Sequence, residues 1–311
     1  MKTIPVSVLI PAYKPDFIAA ALKSVLDQSV QPEEIIISDD CPTDCVRKAL
    51  RPLLEANPQI QYKKNTPSLG LAANYLKLSE LATQPWLKYL DDDDLLEKEA
   101  LESYYEATIA HPTASIVMSA MRHFYEDGVE KFDTHSLPAI TKGKEYYLEL
   151  YNKNAITLFT RLLVKAEVCQ AVRSMNVPAR IISLDELVGQ IACLMGDFAY
   201  LEPVLCHHRQ HSAGYSGNTD LQVLCDDLAY VLLPAKYAQA TNAIPEERLA
   251  QHKEKQLVKV IRGTLTKLLK HDSREKAEAF LAHARTIHPQ AAKTAMLSPR
   301  IAKRWVFSFF K

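Results

Sequence analysis

The chain has 311 residues, 48% of them hydrophobic and 24% charged, which is enough apolar material for one large or two modest cores. Its 37 Lys and Arg balance its 37 Asp and Glu, which excludes a whole-molecule attraction to nucleic acid. Eight Gly and the lack of low-complexity tracts exclude collagen-like and largely disordered proteins. Six scattered Cys fit a reducing compartment, and no signal peptide or membrane-length apolar run is evident, so we expect a cytoplasmic protein.

The first hundred residues alternate between β-branched runs and segments with helical spacing, which is typical of a parallel sheet with crossover helices. Predicted strands lie at residues 6–13, 34–38, 60–64, 86–90 and 115–125, with GVEKF as a hairpin return. Predicted helices lie at residues 18–26, 69–83 and 184–195, and helical spacing continues from about residue 219. The pattern therefore predicts an α/β fold followed by a helical region.

Acidic residues directly follow two of the predicted strands. Asp39 and Asp40 come after the second strand, and Asp91 to Asp94 come after the strand WLKYL. Ligands of open α/β sheets bind outside the carboxyl ends of the strands. We therefore expect both acidic clusters to face one crevice.

Four consecutive aspartates repel one another, and a divalent cation is the natural partner of such a cluster. Carboxylate oxygens favour Mg²⁺ or Mn²⁺, with water and substrate phosphates completing the ligand shell. A calcium EF-hand loop is excluded because Leu95 and Leu96 stand where an oxygen ligand and a glycine are required. The structural alternative is that Asp94 caps a helix beginning near Leu96.

Four segments in order, VSVLIPAYK, IIISDDCPTD, SLGLAANY and WLKYLDDDDL, resemble the signature of family 2 glycosyltransferases. The resemblance implies inverting enzymes with a GT-A fold, in which helices flank a Rossmann-like, mostly parallel central sheet. It implies a nucleotide-sugar-binding half at residues 1–105 and an acceptor-binding half that carries the catalytic base at residues 106–218. Residues 219–311 lie outside it and are predicted to form a helical C-terminal region.

The resemblance also assigns roles to individual residues. Pro11, Ala12 and Tyr13 would line the nucleobase, Asp39 would bind the base with support from Asp40, and Asp91 would contact the ribose. The donor-binding residues implied in this way are Pro11, Ala12, Tyr13, Asp39, Asp40, Asn74, Asp91 and Asp92. Asp93 would bind the Mn²⁺ or Mg²⁺ ion that bridges the diphosphate.

An inverting transfer requires a general base that accepts the proton of the attacking hydroxyl. The resemblance places this base in the second half, where Asp185 is the candidate and Glu186 the adjacent alternative. Neighbouring residues of a helix point about 100° apart, so only one of the two can face the crevice. The segment closes on Arg-Gln-His, as in rhamnosyltransferase-like members, which suggests Arg209 for phosphate and His211 for the metal.

The C-terminal segment at residues 298–311 interleaves basic and aromatic side chains, and Arg248 to Lys311 holds 15 Lys and Arg against four acids. Such a segment is typical of one lying at an anionic membrane surface, and its alternative is a helix docked on the protein. We therefore expect a protein peripheral to the inner face of the cell membrane, with a helical region compatible with a homodimer.

The predicted function is metal-dependent transfer of a sugar from a UDP- or dTDP-sugar to a glycan or lipid-linked oligosaccharide in surface polysaccharide synthesis. An inactive nucleotide-sugar-binding or scaffold protein is the non-enzymatic alternative. A sugar nucleotidyltransferase is disfavoured because PAYKPD lacks the Gly-rich loop that usually follows the first strand of that class.

Overall fold

The structure is a computed structural model that describes residues 2–125, 127–150, 158–210 and 219–307. The chain divides into two compact units. The first comprises Met1–Asn176 and Val188–Gly214, and the second comprises Val177–Leu187 and Tyr215–Lys311. Among the described residues, no helix has both the length and the apolar composition that a membrane span requires.

One sheet forms the centre of the first unit. Its strands are β1 (Thr3–Ala12), β2 (Gln31–Asp39), β3 (Gln61–Lys64), β4 (Trp86–Tyr89), β5 (Leu95–Leu96), β6 (Ala114–Tyr125), β7 (Glu130–Asp133), β8 (Ile140–Thr141), β9 (Leu162–Lys165) and β10 (Asp197–Gln210). Their order is β3-β2-β1-β4-β9-β6-β10-β5, with β7 paired to β6 and β8 to β10.

The four strands β3, β2, β1 and β4 pair in parallel, as the sequence predicts. Residues 8–10 of β1 are buried, as expected of a strand covered on both faces. The registers Ala12↔Asp39 and Leu9↔Tyr89 align the carboxyl ends of β1, β2 and β4. This alignment creates the edge at which the two acidic clusters meet.

The remainder of the sheet is mixed, and it adds antiparallel pairs to the predicted parallel ones. Strand β9 runs antiparallel to both β4 and β6, whereas β6 and β10 are parallel. β7 returns antiparallel to β6, which confirms the predicted hairpin. A buried apolar run has the same composition in either direction, so the sequence pattern does not specify the direction of β9.

Helices and turns connect the strands of the first unit. They are α1 (Ile18–Leu26), α2 (Cys45–Ala56), α3 (Leu71–Leu81), α4 (Ala100–Ala110), α5 (Gly143–Glu145), a π-helical turn at Tyr146–Leu150, a 3-10 turn at Phe159–Arg161 and α6 (Ala166–Arg173). Helix α1 buries Ile18, Ala21, Leu22 and Val25, so the predicted apolar spacing is confirmed as its core face. Helix α7 (Leu184–Met195) begins in the second unit and continues in the first.

Helices make up the rest of the second unit. They are α8 (Leu221–Asp226), α9 (Ala229–Ala240), α10 (Glu246–His271), α11 (Arg274–Ile287), α12 (Pro289–Met296) and α13 (Pro299–Phe307). Its core includes Leu257, Ile261, Leu265 and Leu268 of α10, together with Phe280 of α11. The predicted helical region is therefore present, with leucine and isoleucine side chains of α10 in its core.

The C-terminal helix α13 contributes to that core. Ile301 is buried in it, and Trp305 packs against it with the guanidinium of Arg274 at 5.7 Å from its ring centroid. Trp305 is therefore docked on the protein, which is the alternative to membrane contact given above. Residues 308–311 lie outside the described residues, and contact of residues 298–311 with a membrane stays a prediction.

Candidate active site

The carboxyl ends of β1, β2 and β4 bring the predicted donor residues together. Asp40 N–H donates to the Ala12 carbonyl at 2.8 Å. The backbone N–H groups of Tyr13 and Lys14 donate to Asp92 Oδ2 at 2.7 and 2.9 Å. Hydrogen bonds thus link the end of β1 to both acidic clusters.

Asp39 is fully buried at the end of β2, and internal donors surround its carboxylate. Cys41 N–H donates to Oδ1 at 2.9 Å, the Tyr62 hydroxyl donates to Oδ2, and Lys64 Nζ lies 3.1 Å from Oδ2. Lys64 is in register with Asp39 because β3 pairs in parallel with β2. Burial and the hydrogen bond to Asp39 raise the pKa of Tyr62 far above its ordinary value. The Tyr62 hydroxyl therefore donates a hydrogen bond to the Asp39 carboxylate. The positive charge of Lys64 compensates the negative charge of that carboxylate.

Asp40 organises the segment that leads into α3. Its Oδ1 accepts from Leu69 N–H at 2.6 Å and from Asn65 Nδ2 at 3.0 Å, and its Oδ2 accepts from Gly70 N–H at 2.9 Å. Asn74 is buried beside them, where its Oδ1 accepts from the same Asn65 amide at 3.0 Å. These contacts make Asp40 and Asn74 supports of the loop at residues 65–70.

Three of the four aspartates after β4 have different hydrogen-bond partners. Asp91 accepts from the Tyr75 hydroxyl, and Asp92 accepts from the two backbone groups after β1. Asp94 is fully buried, where its Oδ2 accepts from Thr160 at 2.5 Å and its Oδ1 accepts from the backbone N–H of Arg209 at 2.9 Å. The side chains of Asp92 and Asp94 thus fasten this turn to β1 and β10.

Burial shifts the ionisation of two of these aspartates. It raises the pKa of Asp92 to about 6, against the opposing effect of the hydrogen bonds from Lys14 and Tyr13. It also raises the pKa of Asp94 well above its ordinary value, and the nearby charges of Asp91 and Asp93 add to that rise. Burial therefore disfavours the charged form of both carboxyl groups.

The alternative role of Asp94 as a helix cap is wrong. Leu95 and Leu96 form the short strand β5, and helix α4 begins only at Ala100. Its N-cap residue Glu99 makes no side-chain capping hydrogen bond. Pairing of β5 with β10 determines the local structure here, and it overrides the helical spacing that follows the aspartates.

Arg209 lies beside the aspartate turn, at the far end of β10. Its Nε donates to the Asp93 carbonyl at 3.1 Å. Its guanidinium carbon lies 4.0 Å from the ring centroid of Phe17 and 4.5 Å from that of Phe124. The two rings hold a cationic group next to the acids, which is a position suited to an anionic ligand.

Several residues around the site were not predicted. Tyr75 stacks on Phe159 with ring centroids 4.8 Å apart, and Thr160 contacts Asp94 from the 3-10 turn before β9. Lys88 is completely buried in β4, where it donates to the carbonyls of Tyr89 and Thr160. The sequence feature that could have identified Lys88 is the presence of a lysine inside the short apolar run WLKYL.

Asp185 and Glu186 lie in the first turn of α7, within the second unit. Asp185 Oδ1 accepts from the Glu186 N–H at 2.9 Å. The turn before the helix is held by Asp227, which accepts from Ser183 N–H at 2.8 Å. Burial, followed by the charges of Glu186, Asp227 and Asp185, raises the pKa of Tyr230 well above its ordinary value. Both carboxylates thus lie near the half-buried Tyr230. His211 lies outside the described residues.

Carboxylate oxygens of the aspartate turn are the chemically suitable metal ligands. The described part of the chain contains no group of three or more His, Cys, Asp or Glu side chains arranged to hold an ion. Mg²⁺ and Mn²⁺ are commonly held by one or two carboxylates that are completed by water and substrate phosphates. The Asp93 carboxylate fits such a donor set, in which the substrate would supply the missing ligands.

Solved structures with a similar fold bind nucleotide sugars. Residues 1–349 of S. aureus TarS with UDP-GlcNAc superpose with a TM-score of 0.66 at 16% identity, covering 99% of this chain and 89% of that one. The mannosyltransferase PcManGT of Pyrobaculum calidifontis with GDP-Man and Mn²⁺ gives a TM-score of 0.53 at 17% identity, covering 98% and 84%. These likenesses confirm the predicted GT-A type of α/β fold.

Sequence comparisons agree with the fold. TuaG of Bacillus subtilis strain 168, which is named for teichuronic acid biosynthesis, is 36% identical over 102 residues, or 32% of this chain and 40% of TuaG. This chain spans 40% or less of the length of TuaG and of two other curated relatives. The profile of Glycosyl transferase family 2 matches residues 7–173, which is more than half of the chain. The chain therefore belongs to glycosyl transferase family 2.

Proposed function

We propose that this protein transfers a sugar from a nucleoside diphosphate donor to an acceptor hydroxyl with inversion at the anomeric carbon. The observation that carries the proposal is the convergence of Asp39, Asp40 and the aspartate turn on the end of β1, through direct hydrogen bonds. Family membership and the nucleotide sugars bound by TarS and PcManGT support it.

The donor nucleotide occupies the edge at the ends of β1 and β2. Pro11, Ala12 and the exposed Tyr13 line the base, and Asp39 accepts a hydrogen bond from it. Asp40 and Asn74 hold the loop at residues 65–70 in place beside it. Asp92 contributes by holding the backbone after β1. Lys64 and Tyr62 keep the Asp39 carboxylate oriented before the donor arrives.

The diphosphate lies between the aspartate turn and Arg209. Asp91 contacts the ribose, and Asp93 holds a Mn²⁺ or Mg²⁺ ion through its carboxylate. When bound, that ion supplies positive charge that stabilises the departing nucleoside diphosphate as a Lewis acid. Arg209 adds a second cationic group that is already oriented by Phe17 and Phe124.

Asp185 is the proposed general base, with Glu186 as its alternative. The acceptor oxygen attacks the anomeric carbon while the bond from that carbon to the diphosphate oxygen breaks. Asp185 accepts the proton of the acceptor hydroxyl as its oxygen becomes a nucleophile. The proposed acceptor is a glycan or lipid-linked oligosaccharide of surface polysaccharide synthesis, in keeping with the likeness to TuaG. UDP and dTDP are the proposed donor nucleotides.

Nucleotide binding tests the donor site. Thermal unfolding is measured with UDP, dTDP, GDP or CMP, each with Mn²⁺, Mg²⁺ or chelator. A ligand at 100 times its Kd stabilises the fold by about 2.7 kcal/mol. We expect UDP or dTDP to raise the midpoint only with metal, and Asp93→Asn to abolish that rise. The exposed Asp27→Asn, in the same unit, is the matched control and should retain it. If no nucleotide raises the unfolding midpoint of the wild-type protein under any metal condition, the proposal is contradicted.

Substitution of the base separates an enzyme from a binding protein. Asp185→Asn should retain the nucleotide-dependent midpoint shift and lower donor turnover by about 10²- to 10⁴-fold. Turnover is followed as nucleoside diphosphate release with a cell-envelope glycolipid extract as acceptor. Glu186→Gln should keep most of the activity, and the reverse pattern would assign the base to Glu186. Nucleotide binding by a wild-type protein that turns over no donor would favour the scaffold alternative.

A further inference from the structure

Two thiols lie in contact immediately after the donor acids. Cys41 follows Asp40, and Cys45 is the first residue of α2. Their sulfur atoms are 3.1 Å apart, about 1 Å more than the length of an S–S bond. Both cysteines are free, with Cys41 buried and Cys45 half-buried. The pair is therefore one short movement from a disulfide.

The surroundings of Cys41 distinguish it chemically. Burial opposes its ionisation, but hydrogen bonds from the Thr43 hydroxyl and the Cys45 thiol outweigh burial and lower the pKa of Cys41. Burial instead raises the pKa of Cys169, Cys206 and Cys225 to about 11. Thiolates are the nucleophiles in reactions with peroxides and disulfides. Cys41 is therefore a better nucleophile than those three thiols, and it lies in contact with the more exposed Cys45.

We propose that Cys41 and Cys45 form a redox-modification site at which hydrogen peroxide converts the two thiols into a reversible disulfide. The half-buried Cys45 sulfur attacks a peroxide oxygen, the O–O bond breaks, and one water leaves behind a sulfenic acid. The Cys41 sulfur then attacks the Cys45 sulfur, the S–O bond breaks, and a second water leaves with the thiol proton. Both sulfurs are oxidised and both peroxide oxygens are reduced.

The disulfide acts on the donor site through the backbone of Cys41. Its N–H donates to Asp39 Oδ1 at 2.9 Å, and its carbonyl accepts from Lys64 Nζ. Lys64 is also the ion-pair partner of Asp39 and donates to the Thr43 carbonyl at 2.7 Å. Drawing the sulfurs together moves the loop that carries these contacts, so the oxidised protein binds the donor more weakly. This consequence rests on the proposed function, whereas disulfide formation does not.

Peptide mapping tests the chemical step. Wild type, Cys41→Ser, Cys45→Ser and the control Cys225→Ser are treated with hydrogen peroxide, alkylated, digested and analysed by mass spectrometry. Cys225 is the matched control because it is also half-buried. In wild type and the control, the peptide with residues 41–45 should lose two hydrogens and resist alkylation until dithiothreitol is added. Neither Cys41→Ser nor Cys45→Ser should form this oxidised peptide. If Cys41→Ser fails to fold, Cys41→Ala replaces it in the experiment. Irreversible sulfinic acid, or unchanged thiols in wild type, would overturn the proposal.

Nucleotide affinity tests the consequence. Oxidised wild type should bind the nucleoside diphosphate that reduced wild type prefers about fivefold more weakly, the size of one lost hydrogen bond. Dithiothreitol should restore the affinity, and peroxide should leave the affinity of Cys45→Ser unchanged. Equal affinity of the oxidised and reduced proteins would overturn the coupling to the donor site. If reduced wild type binds no nucleotide, the proposed function is wrong. The proposal of a disulfide is then tested by the mass spectrometry experiment alone.

Discussion

At the scale of single residues, Asp39 shows how much a buried carboxylate depends on its neighbours. Its side chain is fully buried, and it keeps its place through Cys41 N–H, the Tyr62 hydroxyl and the ammonium group of Lys64. A buried charge that loses its partner costs far more than an exposed pair gains. The Lys64 side chain is therefore expected to be important for stability as well as for the site.

Replacing Lys64 by Ala should lower the free energy of unfolding by about 2 kcal/mol, because Asp39 then keeps its burial without the compensating charge. Lys77→Ala is the matched control, since Lys77 pairs with Glu80 at 3.0 Å where both side chains are exposed. We expect the control to cost less than about 0.5 kcal/mol. Urea denaturation measures both values. Equal losses in the two variants would show that Lys64 does not compensate a buried charge.

Lys88 gives the protein a pH dependence of known sign. Burial lowers its pKa from 10.5 to about 8, with the nearby Cys206, Asp91 and Asp94 opposing the shift. Between pH 8 and 10.5 the unfolded chain holds the Lys88 proton that the folded chain has released. The unfolded state binds more protons there, so the folded state gains stability as pH rises.

Comparison with Lys88→Met isolates this effect, because methionine does not titrate. The unfolding free energy of wild type minus that of Lys88→Met should rise by roughly 3 kcal/mol from pH 8 to 10.5. Below pH 8 the titration of Lys88 should add no pH dependence to this difference in unfolding free energy. Urea denaturation at a series of pH values measures it. A difference that stays constant above pH 8 would mean that Lys88 keeps an ordinary pKa in the folded protein.

At the scale of elements, the segment between β3 and α3 depends on one carboxylate and one backbone conformation. Asp40 accepts from the N–H groups of Leu69 and Gly70, which immediately precede α3. Gly70 adopts φ of 89°, a value that side chains with a Cβ rarely adopt. Both features position the start of α3 beside the donor acids.

Gly70→Ala and Gly263→Ala form a matched pair of substitutions. A Cβ at either position meets nothing within 4 Å, so backbone conformation alone distinguishes them. Gly70→Ala should destabilise the protein by about 1–3 kcal/mol, because φ of 89° with ψ of 164° is a conformation that is essentially confined to glycine. Gly263 lies inside α10, where alanine should stabilise by roughly 0.5–1 kcal/mol. Urea denaturation should therefore show opposite signs, and equal signs would contradict this account.

At the scale of the whole molecule, charge is divided along the chain although the total is zero. Arg248 to Lys311 carries an excess of 11 positive charges (15 minus 4), which the preceding residues balance. Anionic lipid surfaces attract basic segments through such local charge, and salt screens the attraction. The predicted membrane contact of residues 298–311 can be tested on this basis.

The chain should cosediment with phosphatidylglycerol vesicles and not with phosphatidylcholine vesicles, and added salt should weaken binding. Changing Arg300, Lys303 and Arg304 to Gln should reduce binding strongly, by about 1 kcal/mol for each charge near the surface. The control changes Lys253, Lys255 and Lys259 of α10 to Gln, which removes the same charge. Equal loss in both triple variants would assign binding to net charge rather than to the terminal segment.

The sequence by itself predicted the strands β1 to β4, helix α1, the hairpin β6–β7 and the helical C-terminal region. Side-chain periodicity and strand ends are local features, so they can be read within windows of about ten residues. The same locality placed Asp39, Asp40 and the aspartate turn at one edge, because parallel strands share their carboxyl ends. The family signature added expected roles for these residues.

Only the tertiary structure decided how the acids are used. Asp92 holds the backbone 78 and 79 residues before it, and Asp94 accepts from a residue 115 positions later. The direction of β9 and the contact between the sulfurs of Cys41 and Cys45 also depend on how segments pack in three dimensions. A hydrogen bond or sulfur contact needs atoms placed to within a few tenths of an ångström. Residue type and spacing do not carry that precision, whereas the folded chain does.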